Sequence, residues 1–323
     1  MMKLSSALLA SLLLTSLALG GCADEEATDV LKDNYDEASE EGTVSNLTAG
    51  AFKLMTYNVR YQGAEDTGVR TWANRRASLF SLIESNNPDI FGVQEAQKNA
   101  IDYPTEIKNR FSAANKAYDV IDPGGGSPKL IFFRRGRFSL ADTQPNQGQA
   151  ELSNPNESAT CGSVNAKGKK AVWAKLTDSQ SGKTFLFINT HLAFGDCPRS
   201  REAQALDIKK LVNAVSGGLE VVIFGDMNYD PQAKNADSEN TVNLFVKRGR
   251  DMKIAGDFSG TTNDAHATFN SEWNSAKADT HRLDYVFFSG GIKAVSTKID
   301  KTRNGNGVSP SDHYPFISVL APG

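Results

Sequence analysis

Val222-Ile223-Phe224-Gly225-Asp226-Met227-Asn228 is the stretch on which the reading of this chain turns. From Glu220 to Phe224 the residues spell a strand that is apolar on both faces. Such a strand must be covered on both sides. Within two more residues the run changes to a carboxylate and then an amide. A strand that switches in this way leaves the core and offers a polar side chain at the rim of its sheet.

The pattern repeats on either side of that stretch. Lys53-Leu54-Met55-Thr56-Tyr57-Asn58-Val59-Arg60 exits on Asn58, and Ile90-Phe91-Gly92-Val93-Gln94-Glu95 exits on Glu95. Phe187-Ile188-Asn189-Thr190-His191-Leu192 exits on His191. Asp284 lies in Arg282-Leu283-Asp284-Tyr285-Val286, and Asp312-His313 in Ser309-Pro310-Ser311-Asp312-His313-Tyr314-Pro315. Further strands are predicted over residues 130–133, 171–176, 184–189, 283–289 and 315–320. Helical spacing marks Trp72, Leu79, Leu82 and Ile83, with Asn87-Pro88 as a stop. Helices are also predicted over Ile101 to Phe111 and around Ile208 to Val215, the latter ended by Gly217-Gly218. Strands outnumber helices, so two packed sheets with helices outside satisfy the pattern. Residues 142–170, rich in Gly, Asn, Ser and Gln, read as one long loop.

Taken singly, each polar exit has an ordinary explanation. Glu95 reads as a cap, Asn58 as a turn residue and His191 as a satisfied structural histidine. Asp226-Met227-Asn228 reads as an Asx turn, and Asp312-His313 as a loop dipeptide. Together they build a polar cluster on a rigid scaffold. The chain has only 4 histidines, and His191 and His313 both sit at such exits. His266 and His281 have no comparable context and read as surface residues or as support behind the site.

The N-terminus is a separate matter. Lys3 precedes a leucine-rich run from Leu4 to Leu19, which reads as the apolar region of a signal peptide. It ends in Leu19-Gly20-Gly21-Cys22, which resembles a bacterial lipobox in which Cys22 is acylated. An ordinary signal peptide with an incidental cysteine is the alternative. The expected organisation is a lipoprotein signal peptide over 1–21, lipidated Cys22 with a flexible acidic tether over 22–49, and one catalytic domain over 50–323. The lipobox implies an exported, membrane-anchored protein, sorted to the outer membrane in a Gram-negative cell and facing the periplasm or the cell surface. The whole chain is formally −3 at pH 7, but the tether distorts that figure. From Gly50 onward 33 Lys and Arg face 29 Asp and Glu. That mild excess permits an anionic substrate and demands no nucleic acid. With Cys22 assigned to lipid, Cys161 and Cys197 form an even pair in an oxidising compartment, and a disulfide is expected. No zinc spacing is present.

In order, these segments resemble the endonuclease/exonuclease/phosphatase superfamily over roughly residues 52 to 320, most specifically in Gln94-Glu95, Gly225-Asp226-Met227-Asn228 and Ser311-Asp312-His313. The segments Met55 to Tyr61 and Trp72-Ala73-Asn74-Arg75-Arg76 resemble a branch of secreted bacterial hydrolases. The resemblance implies an α/β fold, a four-layer α/β/β/α sandwich of two packed, mainly antiparallel sheets flanked by helices. It implies Mg²⁺, or Mn²⁺, as cofactor at Glu95, with Asn58 as helper and Asp312 associated with a metal. It places the water-activating base on His313 and its hydrogen-bonding aspartate on Asp284. Asp226 and Asn228 then orient water and phosphate, and His191 donates to non-bridging oxygens. Arg60, Arg75, Arg134 and Arg201 are candidates to grip phosphate, with surface ion-pairing as the equal alternative.

The expected activity is hydrolysis of phosphate esters, foremost phosphodiesters. The partners expected are a nucleic acid, nucleotide or phospholipid head group as substrate, the membrane through Cys22, and no protein partner, with a monomer. Phosphomonoester cleavage and sphingomyelinase-like cleavage are alternatives. No basic, aromatic-bearing duplex surface and no exposed apolar hairpin is evident in the sequence. A non-catalytic surface lipoprotein on the same fold is a rival of a different class, disfavoured because Glu95, Asp226, Asn228, Asp312 and His313 are all present.

Overall fold

In Phe185-Leu186-Phe187-Ile188 the two phenylalanines pack in one core and Leu186 and Ile188 in another. Successive side chains of a strand point to opposite faces, so a strand apolar at every position must lie between two layers. The computed structural model describes residues 35–36, 50–124, 127–155, 161, 168–229, 241–247, 252–255, 267–271, 273 and 281–323. Cys22, His266 and nearly all of the acidic tether lie outside them. None of the described helices is long and apolar enough to cross a membrane.

In chain order the strands are β1 (Tyr35–Asp36), β2 (Phe52–Asn58), β3 (Ile90–Gln94), β4 (Tyr118–Ile121), β5 (Leu130–Arg134), β6 (Phe138–Leu140) and β7 (Gln147–Glu151). They continue with β8 (Lys170–Asp178), β9 (Thr184–His191), β10 (Glu220–Asp226), β11 (Lys253–Ala255), β12 (Asp284–Phe288), β13 (Ile292–Ile299) and β14 (Phe316–Pro322). The helices are α1 (Trp72–Asn86), α2 (Tyr103–Phe111), α3 (Pro198–Val215) and α4 (Thr241–Lys247). One sheet runs β13-β14-β2-β3-β5-β4. The other runs β1-β11-β12-β10-β9-β8-β6, with β7 also on β8. Phe52, Leu54, Ile131 and Phe133 of the first sheet meet Phe185, Phe187, Val222 and Phe224 of the second in the central core. Leu79 and Leu82 of α1 and Ile107 of α2 cover the outer face of the first sheet. Ala205, Ile208 and Val212 of α3 cover that of the second. The molecule is thus an α/β/β/α sandwich.

One expectation is corrected. Residues 142–170 are not wholly loop, because Gln147–Glu151 pairs antiparallel with β8, Gln147 opposite Ala174. Its residues are exposed or half-buried, so pairing to a neighbour forms this strand and the sequence carries no apolar alternation to reveal it. The strand β13 escapes for the same reason, with only Ile292 of its residues buried. At the N-terminus, Tyr35–Asp36 pairs with Ile254–Ala255, a short contact in a stretch read as tether.

Register decides what reaches the rim. The parallel pair β9–β10 sets His191 beside Asp226, and the antiparallel pair β10–β12 sets Asp226 beside Asp284. In the other sheet the parallel pair β2–β3 sets Asn58 beside Gln94. The antiparallel pair β14–β2 sets Phe316 opposite Thr56, so the chain enters β14 from the same rim. Between the sheets, Asn189 accepts from Gln94 Nε2 at 2.7 Å and donates to the carbonyls of Val93 and Leu130, each at 3.0 Å. This buried amide locks the two sheets together one turn of pleat below the polar rim.

Candidate active site

At the rim, Asn58 Nδ2 donates to Asp226 Oδ2 at 2.9 Å and to Glu95 Oε1 at 3.1 Å. One amide thereby ties a carboxylate of each sheet into one cluster. Glu95 Oε2 accepts from the Tyr61 amide at 3.0 Å, and Asp226 Oδ1 from the Asn228 amide at 2.9 Å. Arg60, Glu95 and Asn228 adopt left-handed backbone, φ 52°, 62° and 47°. That conformation is costly for Arg60 and Glu95, though asparagine tolerates it, and such strain concentrates at functional sites. Gly225 lies at φ 142°, and a Cβ there would collide with the Thr190 carbonyl. Only glycine lets β10 approach β9 closely enough to present Asp226 beside His191.

His313 Nδ1 hydrogen-bonds Asp284 Oδ2 at 2.8 Å, while its Nε2 stands 3.6 Å from Asp226 Oδ2. His191 Nε2 stands 3.5 Å from the same oxygen. The two imidazoles therefore flank one carboxylate oxygen. Their proton affinities diverge. Burial alone would lower the pKa of His313, but the charges of Asp284, Asp226 and Asp312 and the Asp284 hydrogen bond raise it to about 10. His191 is held well below its usual value, by burial first and then by the charges of Lys169, Lys129 and His313. Burial, opposed by the charge of His313 and reinforced by that of Asp284, pushes Asp226 up to about 6. Asp312 is also raised, by burial first, with Glu95 adding to it. Phe269 packs edge-on against His313, ring centroids 5.1 Å apart, and Thr268 Oγ1 accepts from the Asp284 amide at 3.1 Å. The sequence reading missed both supports, since nothing around them marks an element.

The cluster forms the floor of a cleft of about 540 Å³. Arg60 lines it, 3.7 Å from Asp312 and ion-paired to Glu65 and Asp66. Arg201 also lines it and donates to the carbonyls of Ala193 and Gly195. Two of the four arginine expectations are corrected by position. Arg75 is fully buried and donates to the carbonyls of Val59, Arg60, Arg70 and Pro310, so it braces the strand exits behind the site. Arg134 sits at the far end of β5, where it donates to Asn87 and the Pro88 carbonyl and pairs with Asp89. His281, read as surface or support, is an exposed residue on the cleft wall. A disulfide joins Cys161 to Cys197, and packs against Ala193 in a small core under the wall segment carrying Phe194, Gly195 and Asp196.

Two groupings bear on a cation. Asp226, Asp284 and His313 offer ligand atoms within 4.8 Å of one another. His313 Nδ1 and Asp284 Oδ2 in that group are already engaged with each other, which reads as a proton-handling dyad. Glu95, Asp312 and Asn58 supply hard oxygen donors without a histidine. Burial first, and then neighbouring carboxylates, raises Asp226 and Asp312, and buried Asp284 Oδ1 has no hydrogen-bond partner among the described residues, so the cluster gathers buried carboxylate oxygens in need of a counter-charge. That chemistry fits a hard dication.

A family model described as Endonuclease/Exonuclease/phosphatase family matches residues 55–313. None of the curated proteins matches this chain. Among solved structures, an endonuclease/exonuclease/phosphatase family protein from Bacteroides thetaiotaomicron superposes with a TM-score of 0.63 at 22% identity, over 85% of this chain and 98% of that one. A mannosyl-6-phosphatase from Bacteroides thetaiotaomicron gives 0.63 at 22% over 84% and 99%. The catalytic domain of human Nocturnin, with a bound sulfate anion, gives 0.62 at 21% over 84% and 95%. At these identities the likeness is one of fold.

Proposed function

This chain belongs to the endonuclease/exonuclease/phosphatase family, and on that premise we propose that it is a divalent-cation-dependent hydrolase of phosphate esters, acting foremost on phosphodiesters. The observation that carries the reading is the Asp284–His313 pair set 3.6 Å from Asp226 in the floor of an acidic cleft. His313 takes the proton of the attacking water through Nε2, while Asp284 holds Nδ1 and steadies the imidazolium that forms. At its resting value of about 10 the imidazole is already charged, so it serves as a base only when the negative field of its carboxylates is offset. Glu95, with Asp312 and Asn58 beside it, would hold Mg²⁺ or Mn²⁺, which supplies that offset and neutralises charge on phosphate oxygens. Neutral His191 donates a hydrogen bond to a non-bridging oxygen as charge gathers there. Asp226 orients the water, and Asn228 meets the phosphate from the cleft side. Arg60 adds positive charge beside Asp312.

The test is a panel of bis-p-nitrophenyl phosphate, p-nitrophenyl phosphate, plasmid DNA, RNA and sphingomyelin, each with Mg²⁺, with Mn²⁺ and with EDTA. The expected outcome is cation-dependent release from the diester, silenced by EDTA. Turnover of the monoester alone would move the reading to a phosphomonoesterase. Metal binding with no hydrolysis of any ester would leave a binding protein on the same fold.

A further inference from the structure

Among the described residues three large apolar side chains stand exposed, Val69, Phe194 and Leu206, and of these Phe194 alone lines the cleft. A single exposed apolar side chain is ordinary on a protein surface. Phe194 is set apart by where it stands and by how firmly its backbone is held. It follows His191 by three residues, a length of chain that reaches at most about 10 Å. The ring therefore belongs to the wall adjoining the histidine that donates to a non-bridging oxygen in the proposed mechanism.

The segment carrying it is braced along its length. Asn228 Nδ2 donates to the Leu192 carbonyl at 3.1 Å, and the Ala193 amide donates to Gln204 Oε1 at 2.8 Å. Nη1 of buried Arg201 donates to the carbonyls of Ala193 at 3.1 Å and Gly195 at 2.6 Å. One guanidinium thus grips the residues on both sides of Phe194. Gly195 lies at φ 71°, where the chain turns, and the Cys197 amide donates back to the Gly195 carbonyl at 2.8 Å. The Cys161–Cys197 disulfide closes the turn. A wall fixed in this way loses little further freedom when a ligand meets it.

The other phenyl and phenol rings of the cleft are engaged. Phe269 packs edge-on against His313, the Arg60 guanidinium lies 5.1 Å from the centre of the Tyr61 ring, and Tyr229 is buried. Phe194 is 46% exposed, which leaves its ring open to the cleft. Gly195, Asp196 and Arg201 line the cleft beside it, so apolar contact is confined to one ring among polar neighbours. That suits a compact planar group with a polar edge, as a nucleobase is, over a long alkyl chain, which needs a continuous apolar strip.

We propose that Phe194 is a specificity-determining residue, a fixed stacking platform for a nucleobase carried on the esterified phosphate. This deepens the hydrolase reading and rests on it, because the platform takes its meaning from a phosphate held beside His191.

The experiment compares p-nitrophenyl phosphodiesters that differ in the group retained on phosphorus: thymidine through its 5′ oxygen, the same deoxyribose without its base, and a decyl chain. The expected result is a kcat/KM for the thymidine ester at least ~5-fold above that of the base-free ester, carried by KM, the scale of one base stacked on an aromatic side chain. Phe194→Leu, which keeps apolar bulk and removes the ring, should bring that ratio within about twofold of one, and Phe194→Trp should keep it at ~5-fold or more. A ratio near one in the unsubstituted protein, or a ratio that Phe194→Leu leaves intact, would overturn the platform. A decyl ester favoured as strongly as the thymidine ester would overturn the nucleobase in favour of an alkyl chain. Calorimetry of thymidine 5′-phosphate against its base-free counterpart, in Mg²⁺, gives a readout independent of turnover, and the nucleotide should bind at least ~5-fold more tightly. If no ester is turned over, the hydrolase reading falls, and that binding preference, with its loss or survival in Phe194→Leu, decides the platform alone.

Discussion

His313 and His191 flank one oxygen of Asp226, yet they hold protons in opposite ways. Three carboxylates surround the first, while burial, and then two lysines and the first histidine itself, keep charge from the second. That division gives one donor and one base from the same residue type. It also carries a pH signature. The folded-state value of His313, about 10, lies above its unfolded value of ~6.5. Its contribution to stability is therefore complete below ~6.5 and is lost as pH rises through about 10. In EDTA, urea unfolding should show the unsubstituted protein most stable relative to His313→Gln at pH 6, with the difference shrinking steadily toward pH 10. A difference independent of pH would show that His313 is not charged in the fold. Arg75 is instructive at the same scale. In sequence it reads as a phosphate grip beside Trp72, but its guanidinium is spent on four backbone carbonyls.

At the scale of elements, Asn189 joins the sheets at the level where the rim begins. Replacing it by Ala would leave Gln94 Nε2 with Thr56 Oγ1 as its acceptor and the Val93 and Leu130 carbonyls without that donor, at about 1–3 kcal/mol for each group left unsatisfied. Asn189→Ala should lose at least ~2 kcal/mol in chemical unfolding, and a loss below ~0.5 kcal/mol would show that water replaces the amide. Most of the sandwich was legible because central strands such as β9 and β10 are buried on both faces and read as unbroken apolar runs. Their polar exits at Asp226 and His191 were legible for the same reason, standing out against those runs. Edge strands carry no such contrast, so β7 passed as loop.

At the scale of the whole molecule, parallel pairing of β2 with β3 and of β9 with β10 turns four strand ends toward one rim. Residues as distant as Asn58 and His313 converge there because the last strand, β14, returns beside the first sheet's β2. The chain ahead of the fold supports a further proposal, that the enzyme is exported and held at a membrane by acylated Cys22 on an acidic tether. Fractionation should recover the intact protein with membranes and Cys22→Ala in the soluble exported fraction; equal distribution would dismiss the anchor. In the proposed mechanism one floor group, His313, handles the proton of the attacking water. The direct measurement is the Mg²⁺-saturated rate of bis-p-nitrophenyl phosphate hydrolysis by the unsubstituted protein and by His313→Gln, with folding of the variant verified. A fall of at least ~10²-fold is expected for the loss of a general base, whereas a rate within about threefold of the original would contradict it.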